Sequence, residues 1–180
     1  MKIIIIFLLT INLFADIKHD MLDLYKNKNY SKACNIGFNN LYQHIKDEPF
    51  LSLYSFSCLK SDHINRLAIP ITLLHKSKEA RSNSTYFAVV LMQKKMLYHA
   101  LVDNYDISSL NMPSTNYVLS KVFDLYSQLG KHKPRDFYIF NDKNHKNISY
   151  KLYLLHENNV NKMIIEEFYD KISVKRHIYW

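Results

Sequence analysis

At Gly130 the apolar pattern of the chain changes period. Before it, apolar residues recur at three- and four-residue steps: Met21, Leu24 and Tyr25, then Ala33 and Ile36, later Leu41 and Ile45. That is the repeat of a helix with one face turned to a core. After it, alternation by two takes over. Ile148, Tyr150, Leu152 and Leu154 share one strand face, and Ile172, Val174, Ile178 and Trp180 share another with Arg176 among them. The two periods cannot belong to one kind of element, so the expected class is α+β, helical over 16–130 and a sheet over 135–180. Gly130 is a fitting helix stop, and Pro134 keeps the helix from resuming.

Within the helical part, polar breaks at Asn27-Lys28-Asn29, Asp47-Glu48-Pro49, Lys60-Ser61-Asp62 and Arg81-Ser82-Asn83-Ser84 leave segments one helix long. Short connections of this kind favour antiparallel neighbours. Asn29–Ala33 and His63–Leu67 fall in register at an offset of 34, each opening the second helix of a hairpin. Ile107, Leu110 and Pro113 share the spacing of Ile64, Leu67 and Pro70 at an offset of 43, which predicts a third hairpin with an insertion. The sheet part holds four β-rich runs, Asp136–Asn141, Ile148–Glu157, Lys162–Tyr169 and Ile172–Trp180. Loops are expected at Lys143–Asn147, Asn158–Asn161 and Asp170-Lys171, giving an antiparallel meander covered on one face by the last helix, Ser114–Leu129.

The N-terminus gives an address. Met1-Lys2 is positive, Ile3–Phe14 is nearly all apolar, and Ala15 precedes the polar sequence from Asp16. This is the layout of a secretory signal peptide over 1–15. Its apolar run, about a dozen residues, is shorter than the roughly 20 that span a bilayer. The expected location is periplasmic or secreted, the alternative being an uncleaved anchor in the inner membrane. No transmembrane segment is expected once the leader is removed. The chain has two cysteines, Cys34 and Cys58, an even number for an oxidising compartment, and a structural disulfide is the expectation.

The formal charge of +8 rests mostly on lysine; Arg66, Arg81, Arg135 and Arg176 are the only arginines, and no basic run is present. Nucleic-acid surfaces lean on forked arginine contacts, so nucleic acid is not an expected partner. Two glycines in the whole chain exclude glycine-rich phosphate loops. No two of the nine histidines lie three or four positions apart on one helix, so neither a metal nor a cofactor is expected. Glu166 and Glu167 point to opposite strand faces and cannot work as an acid–base pair; one is expected to pair across the strands with Lys151, Lys175 or Arg176.

The stretch Leu24-Tyr25-Lys26-Asn27-Lys28-Asn29-Tyr30-Ser31-Lys32-Ala33, with the 34-residue offset, resembles the tetratricopeptide and Sel1-like class of α-solenoid repeats over roughly 16–130. It departs from that class where Met21 and Ser55 share the small-residue position, where Leu67 stands opposite Ala33, and where Cys58 replaces an aromatic. The resemblance implies protein–protein interaction: a non-catalytic binding or scaffolding module of the bacterial cell envelope, whose partner is another envelope protein or a peptide segment. Its groove would be lined by Tyr25, Tyr54 and Tyr98. Trp180 is the candidate contact of the sheet, against the plainer expectation that its ring packs beneath the sheet. The alternative is an enzyme acting on an envelope polymer, with His132, Asp136, His145 and Glu157 between the last helix and the sheet.

Overall fold

The computed structural model describes residues 17–180, and the expected leader over 1–15 lies outside them. The class is α+β: among the described residues, six α-helices are followed by a four-stranded antiparallel sheet. Two compact units divide the chain, one running to Phe87 and the other from Ala88 to Trp180. The break expected at 130–135 is therefore a change of secondary structure inside the second unit.

The first unit holds α1 (17–26), α2 (Tyr30–Asn39), α3 (Glu48–Lys60), α4 (Ala68–Leu73) and the opening turns of α5 (Lys78–Asp103). Lys28 and Asp62 end α1 and α3 in the left-handed region, at φ 60° and 63°. Asn29 N–H then reaches back to Leu24 O at 2.8 Å, as His63 N–H does to Cys58 O at 2.9 Å. Both are Schellman endings, and they stand 34 residues apart. Gly37 lets α2 and α3 close: a Cβ there would lie 2.5 Å from Tyr54 Cδ2. Beside it, Cys34 and Cys58 form a disulfide with 4.8 Å between their Cα atoms. Closing that loop stabilises the hairpin by about 3–4 kcal/mol on the chain-entropy model.

Two expectations for the helices are corrected. Arg81–Ser84 is not a turn but part of α5; the break falls at 74–77 instead. There the Glu48 carboxylate, far away in sequence, accepts the N–H groups of His75, Lys76 and Ser77 at 3.0, 2.6 and 3.0 Å. These bonds, Lys76 first, hold the Glu48 carboxyl down at about 2. The third hairpin does not form either. α5 ends at Asn104 (φ 56°), and 104–117 is irregular. Asp106 takes the Ser108 N–H, Ile107 is buried as an anchor, and the Pro113 carbonyl accepts from Gln93.

The second unit holds the rest of α5, α6 (Val118–Ser127) and the strands β1 (Phe137–Asn141), β2 (Ile148–Glu157), β3 (Val160–Tyr169) and β4 (Ile172–Tyr179). α6 starts four residues later than expected, because Tyr117 is extended and Ser120 Oγ takes the Thr115 N–H. Strand order is β1-β2-β3-β4. Asn158-Asn159 and Asp170-Lys171 turn β2 into β3 and β3 into β4, all four residues having positive φ, which makes two-residue hairpin loops whose twist suits the strands. The inner face carries Tyr138, Phe140, Tyr150, Leu152, Met163, Ile165, His177 and Tyr179, all buried. α6 covers it, with the Tyr126 ring 5.0 Å from Tyr138 and the Tyr117 ring 6.4 Å from His177.

The expected face of β4 is corrected. Glu167 pairs with Lys175 but Phe168 with Ser173, so Val174 is an extra residue and the alternation flips there. Ile172 and Ile178 thus lie on opposite faces, and the buried residues of β4 are His177 and Tyr179.

Candidate functional site

The strand register builds the outer face of the sheet row by row. Phe137, Tyr153, Ile164 and Ile178 stand opposite one another across all four strands, an unbroken apolar row. The next row is Ile139, Lys151, Glu166 and Arg176. On the other side lie Leu155, Lys162 and Trp180. Ile164 is buried in the middle, whereas Phe137, Ile139 and Trp180 are 49%, 65% and 55% exposed. Cations sit against the rings. Lys151 Nζ is 4.9 Å from the Phe137 centroid and 5.2 Å from that of Tyr153, and Lys162 Nζ is 6.0 Å from Trp180. Two acids stand among them: Glu157 pairs with Lys162, and Glu166 accepts from Tyr153 Oη at 3.0 Å and pairs with Arg176 at 3.6 Å, one of the pairings expected from sequence.

Beneath α6 the inner face carries a polar cluster. Asp142 accepts from Tyr150 Oη at 2.6 Å and from Lys121 Nζ at 3.2 Å with one oxygen. The other takes the N–H groups of Asn144 and His145. These bonds outweigh burial and hold the Asp142 carboxyl below the ordinary carboxylate range. Tyr150 is pushed up by burial first and then by Asp142. One strand over, His177 Nε2 meets Glu167 Oε1 at 2.8 Å, which lowers Glu167. The carboxylates here are spent on partners within the fold, so the cluster fixes the loop over 142–147 and the end of β4.

The residues singled out from sequence are scattered. Tyr25 is half-buried, edge-on to the Tyr30 ring at 5.0 Å. Tyr54 is 1% exposed and packs in the core against Gly37, which corrects its role as a groove anchor. Tyr98 donates to the Asn161 carbonyl at 2.8 Å. Lys94, 2% exposed, lies 5.2 Å from the Tyr98 ring and donates to the Trp180 main-chain oxygen at 2.5 Å, and burial lowers its amine to about 8. Trp180 itself is exposed on the outer face and does not pack beneath the sheet.

His132, Asp136, His145 and Glu157 do not share a site. His145 precedes β2 and Glu157 ends it, so the length of a ten-residue strand, about 30 Å, lies between them. Glu157 pairs with Lys162, and His145 with Asp142. His132 gives its Nδ1–H to the Gly130 carbonyl at 2.7 Å, and its Nε2 is hydrogen-bonded to Tyr138 Oη at 3.1 Å. It lines a cavity of about 100 Å³ with Asp106, Tyr126 and Tyr138, well below the roughly 300 Å³ at which ligand pockets begin. Exposed Asp136 lines a neighbouring depression of about 310 Å³ with Arg135, Tyr138 and Tyr153.

Among the described residues, no three of His, Cys, Asp and Glu are gathered so that they could hold a metal ion, and no helix is long and apolar enough to cross a membrane. No family model, no curated protein and no solved structure matches this chain. The even-numbered residues of β2 from Ile148 to Leu154 are uniformly apolar and dominate its pattern; the outer row belongs to the odd-numbered set, Ser149, Lys151, Tyr153 and Leu155, whose mixed polarity hides it in the sequence.

Proposed function

We propose that this chain is an exported, non-catalytic binding module of the bacterial cell envelope, and that it holds a partner protein or peptide segment against the outer face of its sheet. The observation that carries this is the apolar row Phe137–Tyr153–Ile164–Ile178, flanked by exposed Ile139 and Trp180. Exposed aromatic and aliphatic side chains standing together are the composition of an interface core. Lys151, Lys162 and Arg176 against Glu166 and Glu157, the latter paired with Lys162, leave the face one positive charge in excess, so the partner presents apolar side chains flanked by carboxylates. Aliphatic residues within the row favour a protein segment over a sugar, whose rings stack on aromatic faces. The Cys34–Cys58 disulfide suits an oxidising compartment and supports export, as does the leader. The paired Schellman endings support the likeness to tetratricopeptide repeats in the first unit.

The test is retrieval from the envelope fraction by the tagged full chain, beside the variant Phe137→Ser, Ile139→Ser, Trp180→Ser. The proposal expects a stoichiometric partner on the native chain and at least tenfold less on the variant at equal folded protein. Equal retrieval by both would overturn it.

A further inference from the structure

The disulfide of the first unit is asymmetric. Arg66 Nη1 donates to Cys34 Sγ at 3.2 Å and to Asn35 Oδ1 at 2.7 Å. The guanidinium lies 4.5 Å from the Phe38 ring centroid, and the Arg66 carbonyl accepts from Tyr54 Oη at 3.4 Å. Arg66 is thus held on its backbone, on its fork and on its flat face. Its charge is aimed at one sulfur of the pair.

We propose that Cys34–Cys58 is an exchange-competent disulfide in which Arg66 makes Cys34 the leaving sulfur, so that an incoming thiolate is joined to Cys58. Exchange proceeds by attack of a thiolate on one sulfur with departure of the other, and a better-stabilised leaving thiolate departs more readily. A thiolate R–S⁻ of glutathione or a dithiol attacks Cys58 Sγ. The bond R–S–S–Cys58 forms, the Cys34–Cys58 bond breaks, and its electron pair leaves on Cys34 Sγ beside the guanidinium. A second thiolate attacks the sulfur of R, forms the reductant's own disulfide and releases Cys58, which takes a proton. The reductant loses two electrons and the protein disulfide gains two.

Other ionisable groups nearby are few. His63, whose main-chain N–H bonds the Cys58 carbonyl, feels Arg66 and Asp62, and burial followed by Arg66 lowers its imidazole. Tyr54 is pushed up to about 12 by burial, so its phenol is uncharged where thiols titrate. Arg66 is the charge in hydrogen-bonding contact with Cys34 Sγ. Both sulfurs are buried, so the rate of exchange waits on parting of α2 from α3, but the equilibrium does not depend on that route.

The test uses the full mature chain as the single variants Cys58→Ser and Cys34→Ser, with thiolate formation followed by ultraviolet absorbance across pH. Cys34 is expected to titrate at least one pH unit below Cys58, and Arg66→Met in the Cys58→Ser background to remove the difference. With both cysteines present, Arg66→Met is expected to shift the half-oxidation glutathione ratio by about threefold at pH 8 toward the oxidised protein. Acid-quenched mixed disulfides are expected on Cys58. Equal titration of the two single variants, or glutathione trapped mainly on Cys34, would overturn the proposal; neither result depends on the Arg66 variant folding.

Discussion

Lys28 and Asp62 hold the same backbone position in two successive helix endings, with φ 60° and 63° and the same pair of reverse hydrogen bonds. Neither is the glycine that usually ends a helix this way, and a side chain there is strained. Lys28→Gly and Asp62→Gly should therefore each stabilise the protein by about 0.5–1 kcal/mol. At Gly130 (φ 66°) a Cβ would meet nothing within 4 Å, so Gly130→Ala should lose about 1 kcal/mol from conformation alone. Urea denaturation of the three variants checks both signs.

Gly37 lies mid-helix, where propensity alone favours alanine by about 1 kcal/mol. Packing reverses that. The new methyl would come 2.5 Å from Tyr54 Cδ2 and 2.9 Å from Met21 Cε. Gly37→Ala is expected to destabilise by about 1–3 kcal/mol, as overpacked cores do. A neutral or stabilised variant in thermal denaturation would show that α2 and α3 can part without loss.

Lys94 supplies a pH signature. Its folded pKa, about 8, lies below the ordinary 10.5, so between these values the unfolded chain binds more protons. Stability should accordingly rise as pH goes from 8 toward 10. Lys94→Met should abolish that rise. Denaturation midpoints at pH 7, 8, 9 and 10 for both proteins decide it.

Export and oxidation are read together from one intact mass. The mature chain should begin at Asp16 and be two hydrogens lighter than the reduced form. Reduction, or Cys34→Ser with Cys58→Ser, should lower stability by about 3 kcal/mol. A chain retaining Met1, or a mass with both thiols free, would contradict the expected compartment.

The sheet was nearly legible as sequence because strand signals are local. The ends of β2, Ile148 and Glu157, fall where the alternation begins and stops, and Asp170-Lys171 is the expected two-residue turn. Asn158–Asn161 was expected as a longer loop; asparagine tolerates positive φ, so Asn158 and Asn159 make the turn alone and β3 begins at Val160. What escaped depends on distant partners. The break at 74–77 rests on Glu48, twenty-seven residues before His75. The inner face of β4 rests on a bulge set by β3, and it buries His177 and Tyr179 where strand pattern pointed to isoleucine and tryptophan. The helical offset of 34 was visible, and the two endings it marks share one geometry. The third hairpin failed because Ile107 is held in an irregular segment. For the proposed contact surface, Trp180 was legible by type, but Phe137, Ile139 and Tyr153 joined it on one sheet face only through register.

The most direct test of the binding reading is site-specific photo-crosslinking in the living cell. A photoreactive phenylalanine analogue at Ile139 places the probe on the outer face, beside the apolar row; at Lys28 it sits exposed on the first unit as a control. The account predicts a discrete protein adduct from position 139, none from position 28, and loss of the adduct when Phe137→Ser and Trp180→Ser are added. Equal, diffuse labelling from both positions, or an adduct at 139 indifferent to those two substitutions, would contradict it.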